Sequence, residues 1–346
     1  MNILLVGQGL AGTVLSHYLF LNNIDHKVLD DGHKTCSTKA AAGLINPITG
    51  RNYVKSWRID DLLPEALSCY EQLERDLNLK LISHRDIIRA LPDAVSENKW
   101  ISSTSRPGYE NYCNPDFVAN SYAQVVHSKG KYAQINKAIQ VNIADLIICY
   151  RQFLIDRKCL IEDAFDFEKY DLENDLKVGD EKFDKVIFCE GSAVDKNPLF
   201  NHLPFQPAKG ESFNIQIDGD VPKQILRDDI FLIPQADGSF WSGGGYQWQF
   251  EDDHPTENWA TNWKGKLDQL LKVGYEVKAH KAGIRPAVKG RRPLLGQHDT
   301  QKQYYLFNGM GTKGTSLAPY WAKHFVEYLM GRTDLDVEVD LKRFTA

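Results

Sequence analysis

Features that mark membrane, secreted or metal-binding proteins are missing from this chain of 346 residues. It has no stretch of about 18 apolar residues, so we predict no transmembrane helix. Its start lacks the basic segment and the small-residue cleavage site of a signal peptide. The six cysteines stand singly, without a C-x-x-C pair, so we expect reduced thiols and a cytoplasmic protein. The histidines show no ligand spacing, and no metal site is predicted.

A surplus of positive charge is also missing. The chain has 46 Asp and Glu against 41 Lys and Arg, a formal net charge of −5. A general nucleic-acid or membrane-surface binder would need a basic excess. Residues 278–292 are a local exception, because they contain six Lys or Arg and no acid. Two interpretations are open for this segment: a solvated strand edge, or a local patch for a polyanion such as tRNA.

The signatures of hydrolases and nucleotide-hydrolysing enzymes are absent too. There is no Ser-His-Asp order, no Walker loop, no internal repeat and no low-complexity segment. The composition is otherwise ordinary, with 42% hydrophobic and 25% charged residues. At roughly 150 residues per domain, the length predicts a folded chain of about two domains.

Hydrophobic periodicity predicts strands and helices that alternate at both ends of the chain. Strands are predicted over 2–6, 26–30, 185–189 and 304–307. Helices are predicted over 10–21, 61–79, 142–157, 259–270 and 317–330. Between 205 and 277 the pattern changes to alternating strands, with a hairpin turn at Asp237-Gly238. The polar stretch 96–115 is predicted to be a loop.

The turn after the first strand has the pattern of a dinucleotide site. Residues 7–12 read Gly-Gln-Gly-Leu-Ala-Gly and open a helix. Such glycines let the backbone approach a pyrophosphate, whose charge meets the N–H groups of the helix N-terminus. Asp30, at the end of the second strand, can accept from ribose hydroxyls, and Asp31 would replace it if the strand register slips. The spacing leaves NAD and FAD open, and also a glycine turn without a ligand.

Two further segments favour FAD. Small residues over 38–44 allow a flat ring to lie close to the backbone. Residues 309–319 place three glycines before a helix, whose N-terminus can face the electron-rich edge of a flavin. The alternative for this second segment is a glycine-rich turn that caps the last helix.

The ordered set of motifs resembles the superfamily of D-amino-acid oxidase, glycine oxidase and sarcosine oxidase, which are FAD-dependent oxidoreductases. The resemblance runs from residue 3 to about residue 330. Besides the first glycine turn it rests on Ala-Ala-Ala-Gly-Leu at 40–44, Phe-Asp-Lys-Val-Ile-Phe-Cys-Glu-Gly at 183–191, Pro-Ala-Lys-Gly-Glu at 207–211, Phe-Leu-Ile-Pro at 231–234, Gly-Ile-Arg-Pro at 283–286 and Gly-Met-Gly-Thr-Lys-Gly at 309–314. The last two look most like the oxidase half of the bifunctional enzyme that modifies the tRNA wobble uridine.

The resemblance implies an α/β fold with two domains, a Rossmann-like FAD-binding domain and an inserted, mixed α+β substrate or cap domain. We expect the FAD domain over 1–55, 140–205 and 285–346, and the cap over 56–139 and 206–284. Non-covalent FAD is expected, because no cysteine lies near the segment that carries the covalent flavin in sarcosine oxidases. The cofactor-binding residues implied are Gly7, Gly9, Leu10, Ala11, Gly12, Asp30, Asp31, Ala41, Ala42, Gly43, Leu44, Phe165, Gly191, Gly311, Thr312, Lys313, Gly314 and Thr315.

The resemblance also implies oxidation of the C–N bond of an amino acid or N-substituted glycine, by hydride transfer to flavin N5. Oxygen or another electron acceptor would then reoxidise the flavin. Arg285 aligns with the family arginine that binds the substrate carboxylate with both arms of its guanidinium. Phe231 stands where glycine oxidases have a phenol, and Tyr246 is the candidate substitute.

Alternatives remain at this point. One is an oxidase that acts on a carboxymethylaminomethyl-modified uridine of tRNA, the only case in which a nucleic acid is a partner. Another is a flavin-binding module without turnover, or an NAD-binding regulatory protein.

Overall fold

The structure is a computed structural model that describes residues 1–34, 36–167, 169 and 176–344. In chain order its strands are β1 (Asn2–Val6), β2 (Asp25–Leu29), β3 (Leu44–Ile45), β4 (Ile48–Thr49), β5 (Val54–Lys55), β6 (Ile82–Leu91), β7 (Lys131–Val141), β8 (Leu160–Ile161), β9 (Lys177–Val178), β10 (Glu181–Lys182), β11 (Lys185–Phe188), β12 (Ala208–Ile217), β13 (Ile225–Arg227), β14 (Phe231–Pro234), β15 (Phe240–Gln247), β16 (Tyr275–Arg285), β17 (Leu294–Gln297) and β18 (Tyr304–Asn308). Its α-helices are α1 (Leu10–Leu21), α2 (Ile59–Leu77), α3 (Ala94–Thr104), α4 (Ile143–Asp156), α5 (Glu257–Leu270) and α6 (Gly314–Leu329).

The first large sheet has six strands in the order β17-β18-β11-β1-β2-β8. All neighbouring pairs are parallel except β17 with β18. The predicted strands at both ends of the chain are confirmed, and they meet in this one sheet. Because parallel strands end at the same edge, the loops after β1, β2, β11 and β18 leave the sheet together. These loops carry Gly7, Asp30, Gly191 and Gly309.

The second large sheet has eight strands in the order β16-β12-β15-β14-β13-β6-β7-β3. Its pairs are antiparallel, except for the parallel pair of β13 and β6. The predicted hairpin turn at Asp237-Gly238 is confirmed between β14 and β15. Gly238 has φ +82°, the region in which glycine is unstrained, and the Gln235 N–H closes the turn on the Ser239 carbonyl at 2.8 Å.

Side chains of the eight-stranded sheet alternate between two hydrophobic cores. On one face, Leu232 packs in a cluster with Trp259 of α5. The opposite face carries Ile87, Ile225 and Ile233, which belong to the cluster built around α1, α2 and α6. We call this opposite face, which turns toward the six-stranded sheet, the inner face.

Helix α2 lies within 56–139, the range predicted as cap, yet it packs on α6. Tyr70 donates to the Thr315 carbonyl at 2.8 Å, and Leu73 is buried in the cluster shared with α1. Conversely, β3 lies in the range 1–55 and pairs with β7 of the eight-stranded sheet. The proposed division into domains stays a prediction.

The predicted loop over 96–115 is wrong for its first part, where α3 is helical. Asp93 caps this helix by accepting from the Ser96 N–H at 2.7 Å. Trp100 is fully buried, in an edge-to-face contact with Tyr53 at 5.3 Å between ring centroids. One buried aromatic gives no periodic apolar pattern, which explains why the helix was missed.

Within the described ranges, no helix is long and apolar enough to cross a membrane. The same residues contain no group of three or more His, Cys, Asp or Glu side chains that could hold a metal ion.

Candidate active site

The three glycines of the first turn are required for different reasons. Gly7 has φ +98°, and a Cβ at Gly12 would lie 1.9 Å from the Gly7 carbonyl oxygen, so the backbone itself needs these two. Gly9 has an ordinary conformation, and a Cβ there would meet Cys36 Sγ at 3.5 Å and Thr38 Oγ1 at 3.8 Å. Both distances are normal contacts. The protein alone therefore tolerates a side chain at Gly9, and the role of this glycine in cofactor binding stays a prediction.

Helix α1 begins at this turn with an open N-terminus. Its N-cap is Gly9, which has no side chain to cap the helix, and its first turn contains no acidic residue. The Leu10 N–H donates to Thr38 Oγ1 at 3.2 Å. The remaining N–H groups of the first turn, which includes Ala11 and Gly12, are arranged to bind an anion.

Asp30 lies beside the glycine turn and is held within the protein. Its carboxylate accepts from the N–H groups of Gln8 (2.9 Å), Gly32 (2.9 Å) and His33 (3.0 Å), and from Arg151 Nη1 (2.8 Å). Burial raises its pKa, but the amides of Gln8, Gly32 and His33 and the charge of His33 hold the pKa of Asp30 below its usual value. A carboxylate has about four acceptor positions, and here all of them are used. Because the four donors belong to the turns after β1 and β2 and to α4, Asp30 holds these three segments together.

The second glycine segment lies next to the first. The Gly311 N–H donates to the Pro286 carbonyl at 3.2 Å, and a Cβ at Gly314 would lie 3.5 Å from Leu10 Cδ2. Helix α6 starts at Gly314 without a side-chain cap or an acidic residue in its first turn. Two open helix N-termini, 304 residues apart in sequence, therefore lie side by side.

Lys313 is the N-cap of α6 and is partly buried. Its Nζ donates to Ser56 Oγ at 3.2 Å. Burial, together with the charges of Arg292 and Arg291, lowers the pKa of Lys313. A cation at a helix N-terminus is unfavourable by itself, and it suits a site that receives a negatively charged group.

The segment of small residues over 38–44 lies between the glycine turn and the inner face. The Ala40 carbonyl accepts from Ser212 Oγ at 3.2 Å and from Trp241 Nε1 at 3.0 Å. Gly43 has φ +67°, and a Cβ there would lie 1.8 Å from the Val141 carbonyl oxygen. Glycine is therefore needed at this position for packing. The neighbouring candidates Ala41, Ala42 and Leu44 are partly or fully exposed.

Arg285 ends β16 on the inner face. Its Nη1 donates to the Gly245 carbonyl at 2.9 Å, and its guanidinium lies 5.1 Å from the ring centre of Tyr246. A Cβ at Gly210 would lie 2.0 Å from its Nη2, so only glycine leaves room for the guanidinium. Burial lowers the pKa of Arg285. No carboxylate in the described part of the chain forms an ion pair with it, although a half-buried cation calls for an anion.

A β-bulge places the carbonyl that binds Arg285. The register of β12 with β15 shifts between Lys209 and Glu211, where Gly244 (φ +137°) and Gly245 (φ +84°) lie on the bulged strand. This explains the run of three glycines, since a Cβ at Gly243 would lie 2.5 Å from that of Ser212.

Tyr246 lies at the mouth of this region. It is 55% exposed and stacks on Trp248, which is 59% exposed, at 5.7 Å between ring centroids. The structure thus brings Arg285 and Tyr246 together, and their catalytic roles stay predictions. Phe231, partly buried, lies on the inner face with Ile233.

The sequence model of the family named DAO, FAD dependent oxidoreductase, matches residues 2–328. The chain belongs to the DAO family of FAD-dependent oxidoreductases. The predicted FAD-dependent class is confirmed, and the NAD-binding alternative is wrong.

Solved structures of similar fold include glycine oxidases from Geobacillus kaustophilus and Bacillus cereus ATCC 14579. The first has a TM-score of 0.78 at 16% identity, with 99% of this chain and 97% of that chain covered. The second has a TM-score of 0.77 at 16% identity, with 96% of each chain covered. Iminodiacetate oxidase from Chelativorans sp. BNC1 has a TM-score of 0.74 at 16% identity, with 99% and 98% covered. These similarities confirm the predicted α/β fold.

FAD, the expected cofactor of the DAO family, fits the residues present. The space over Gly9 and the open N-terminus of α1 suit a pyrophosphate, which is anionic and needs close backbone approach. The open N-terminus of α6, with Lys313 at its cap, suits the electron-rich edge of the flavin.

Three further cofactor candidates lie near the N-termini of α1 and α6. Asp31 accepts only a long bond from the Lys34 N–H, at 3.4 Å, among described residues. The Gly191 carbonyl accepts from Asn308 Nδ2 at 2.9 Å and so joins the loops after β11 and β18. Phe165 packs edge-on against Phe188, at 5.3 Å between ring centroids. Roles of these residues in FAD binding stay predictions.

A buried polar network under the glycine turn was missed by sequence reasoning. Gln8, the variable residue between the first two glycines, is fully buried and donates to Thr13 Oγ1 at 3.1 Å and to the Ile147 carbonyl at 2.9 Å. Arg151 of α4 bonds both Asp30 and Glu162. No local signal identifies these partners, because α4 reaches the turn only through tertiary packing.

The basic segment 278–292 is partly neutralised by acids from other parts of the chain. Lys278 pairs with Glu276, His280 Nε2 lies 2.8 Å from Glu211 Oε2, and Arg292 Nε lies 3.6 Å from Glu338 Oε1. These pairings favour the solvated strand edge over a uniform polyanion patch.

Proposed function

We propose that this DAO-family protein oxidises the C–N bond of a small amino acid or N-substituted glycine and holds FAD non-covalently. The observation that carries the proposal is Arg285, a half-buried guanidinium without an ion-pair partner among the described residues. One of its N–H groups is fixed by the Gly245 carbonyl at 2.9 Å, while an arginine has five N–H donors. The rest can bind a substrate carboxylate with both arms.

Binding through Arg285 would orient the substrate on the inner face. FAD, when bound, supplies the hydride acceptor for the oxidation. The protein needs to fix the distance and angle of the reacting C–N bond and to exclude water around the charged pair. Tyr246 limits the position of the guanidinium from its open side. The imine that results from this oxidation then hydrolyses in water.

The names of the structural relatives are consistent with this substrate class. They include glycine oxidases, an iminodiacetate oxidase and an L-proline dehydrogenase. In each, the named substrate is an amine that carries a carboxylate.

The test is anaerobic reduction of the bound flavin. The purified protein is mixed with a panel of amino acids and N-substituted glycines, and with matched amines that lack the carboxylate. We expect loss of the flavin absorbance with at least one carboxylate amine and with none of the matched amines. A flavin that no amine reduces, while dithionite does, would instead identify a flavin-binding module without turnover.

A second candidate function is favoured by the exposed stack of Tyr246 and Trp248 beside Arg285. A carboxymethylaminomethyl-modified uridine of tRNA presents a carboxylate for the guanidinium and a base that can stack on an exposed aromatic ring. The same flavin assay decides between the two candidates. The reductant is then tRNA from modification-deficient cells, in which the carboxymethylaminomethyl group is still present. Reduction by this tRNA but by no free amino acid would favour the second candidate.

A further inference from the structure

Two arginines lie side by side on the inner face, away from Arg285. In the parallel pair of β6 and β13, Arg89 is the register partner of Arg227. They lie two residues beyond Ile87 and Ile225, which are buried on the inner face, and so their side chains share this face. Neighbouring strands are about 4.8 Å apart.

Neither arginine has an acidic partner among the residues that the structure describes. Arg89 makes a cation–π contact with Tyr53 at 5.5 Å, and its Nε is buried without a hydrogen bond. Arg227 donates to the carbonyl of its neighbour Asp228 and lies 4.6 Å from the ring centre of Phe231. Like charges directly opposite each other on a sheet are destabilising.

The surrounding charges leave this pair positive. Burial, followed by the charge of Arg89, lowers the pKa of Arg227 to about 10. Asp229 and Asp228 act in the opposite direction without forming ion pairs, and Arg51 adds a further positive charge. A fold that keeps such a cluster loses stability in the free protein. We infer that a bound anionic ligand offsets this loss.

The pair is aligned with the site of Arg285. Arg227 pairs with Phe231. Ile233 pairs with Trp241 in the next strand, and continuing this register by two residues brings Phe231 opposite Gly243. Gly243 is two residues before Gly245, whose carbonyl holds Arg285. Gly245, which holds the Arg285 guanidinium, lies on β15, two strand spacings from Arg227 on β13 and three from Arg89 on β6, or about 10 to 14 Å between backbones. The backbone of Arg285 itself, on β16, is two strands further away, and its side chain reaches back over Gly210 of β12 to Gly245.

Phe231 and Gly243 lie between the two sites. Phe231 gives an apolar surface, and Gly243 has no side chain to block the path. The absence of a phenol at Phe231 also leaves this connection without a polar group. A short carbon chain can therefore run between two charged ends.

We propose that Arg89 and Arg227 bind a second carboxylate of the substrate, so that the substrate is an amine with two acidic groups, one at Arg285 and one at this pair. The inference rests on the proposed function, which assigns the first carboxylate to Arg285. Paired guanidinium groups suit a carboxylate because each offers parallel N–H donors in a fixed plane.

The first test compares diacids with matched monoacids in flavin reduction. Aspartate, glutamate and iminodiacetate are matched with asparagine, glutamine and sarcosine. We expect the best diacid to exceed its monoacid partner by about 30-fold or more in kcat/KM, because a desolvated charge pair is lost. In Arg89→Gln and Arg227→Gln this preference should fall to within about threefold.

Arg85→Gln is the matched control, since Arg85 is a half-buried arginine of the same strand that donates to the Lys223 carbonyl. It should keep the preference. A structural role for Arg89 predicts a lower melting temperature in Arg89→Gln, whereas removal of an unpaired like charge should leave it equal or higher. Arg89→Lys keeps the charge but lacks the two parallel N–H donors of a guanidinium, and it should restore the preference only in part.

The second test needs no turnover. Titration of the FAD-loaded protein with succinate or glutarate should show binding that is lost in both Arg89→Gln and Arg285→Leu. If monoacids and diacids reduce the flavin equally and Arg89→Gln changes nothing, the second carboxylate site is wrong while the proposed function stands. If no amine reduces the flavin, the proposed function fails, and binding of succinate or glutarate that depends on Arg89 still supports the anion site. Absence of that binding overturns it.

Discussion

Arg285 and Gly245 are joined by a hydrogen bond of 2.9 Å from the guanidinium Nη1 to the backbone carbonyl oxygen. A neutral carbonyl holds the position of the arginine without neutralising its charge. The bond depends on the bulge at Gly244 and Gly245 and on the bare backbone of Gly210. Three glycines on two strands therefore prepare one cation for an anionic ligand.

The first prediction concerns Gly9. In Gly9→Val the side chain should occupy the space proposed for the pyrophosphate, so the protein should fold and purify without colour. Flavin content per protein is measured by absorbance after denaturation. Gly265→Val is the control, because nothing lies within 4 Å of a Cβ at that position, and it should stay yellow. Stoichiometric flavin in Gly9→Val would show that the first glycine turn is not the FAD site.

Gly12→Ala should behave differently from Gly9→Ala. Its Cβ would lie 1.9 Å from the Gly7 carbonyl oxygen, so the backbone must shift, and folding itself should suffer. We expect Gly12→Ala to lose most of its soluble yield, while Gly9→Ala keeps a normal unfolding transition. Equal thermal stability of the two variants would contradict this division between packing and ligand space.

A third prediction concerns Glu211, which is buried on the face opposite the inner face. Its carboxylate accepts from Gln247 Nε2 (3.1 Å), from the Thr256 N–H and Oγ1 (2.8 Å each), and lies 2.8 Å from His280 Nε2. Glu211→Ala leaves these donors unpaired and should lower the free energy of unfolding by about 3 kcal/mol or more. Urea unfolding measures the loss. Glu251→Ala, at an exposed position, should stay within about 0.5 kcal/mol of wild type.

Acid sensitivity should come in part from buried histidines. Burial is the main cause that lowers the pKa of His26 and of His17 to about 4, below the value of 6.5 that each has when unfolded. Below pH 6.5 the unfolded chain binds protons that the folded chain does not, so stability falls as the pH drops from 6.5 toward 4. Each histidine contributes roughly 3 kcal/mol to this loss.

Urea unfolding at pH 7.5 and at pH 5 measures the effect. His26→Gln removes one of the two groups and should reduce the pH dependence by about half of their joint contribution. The same substitution at exposed His84 should leave the pH dependence unchanged. A pH dependence in His26→Gln equal to that of wild type would mean that this histidine is not held neutral.

The parts of the fold that the sequence predicted are those that depend on neighbouring residues alone. The turn at Gly7 and Gly12 follows from backbone sterics, and the strand and helix periods at both chain ends follow from apolar spacing. Helix α3 was missed because Trp100 is its only buried apolar side chain. The environment of Arg285 was not predictable in detail, because the bulge at Gly245 depends on the register between two strands. The pairing of Arg89 with Arg227 is likewise a product of sheet register.

The most direct test of the central claim is anaerobic flavin reduction by the best carboxylate amine in Arg285→Leu. Loss of the guanidinium should cost about 3–5 kcal/mol, or roughly 10²- to 5 × 10³-fold in kcat/KM, with FAD still bound. Arg285→Lys should recover only part of the rate, because a point charge lacks the fork. Lys278→Leu, exposed on the same strand, should match wild type. Unimpaired reduction in Arg285→Leu would contradict the account.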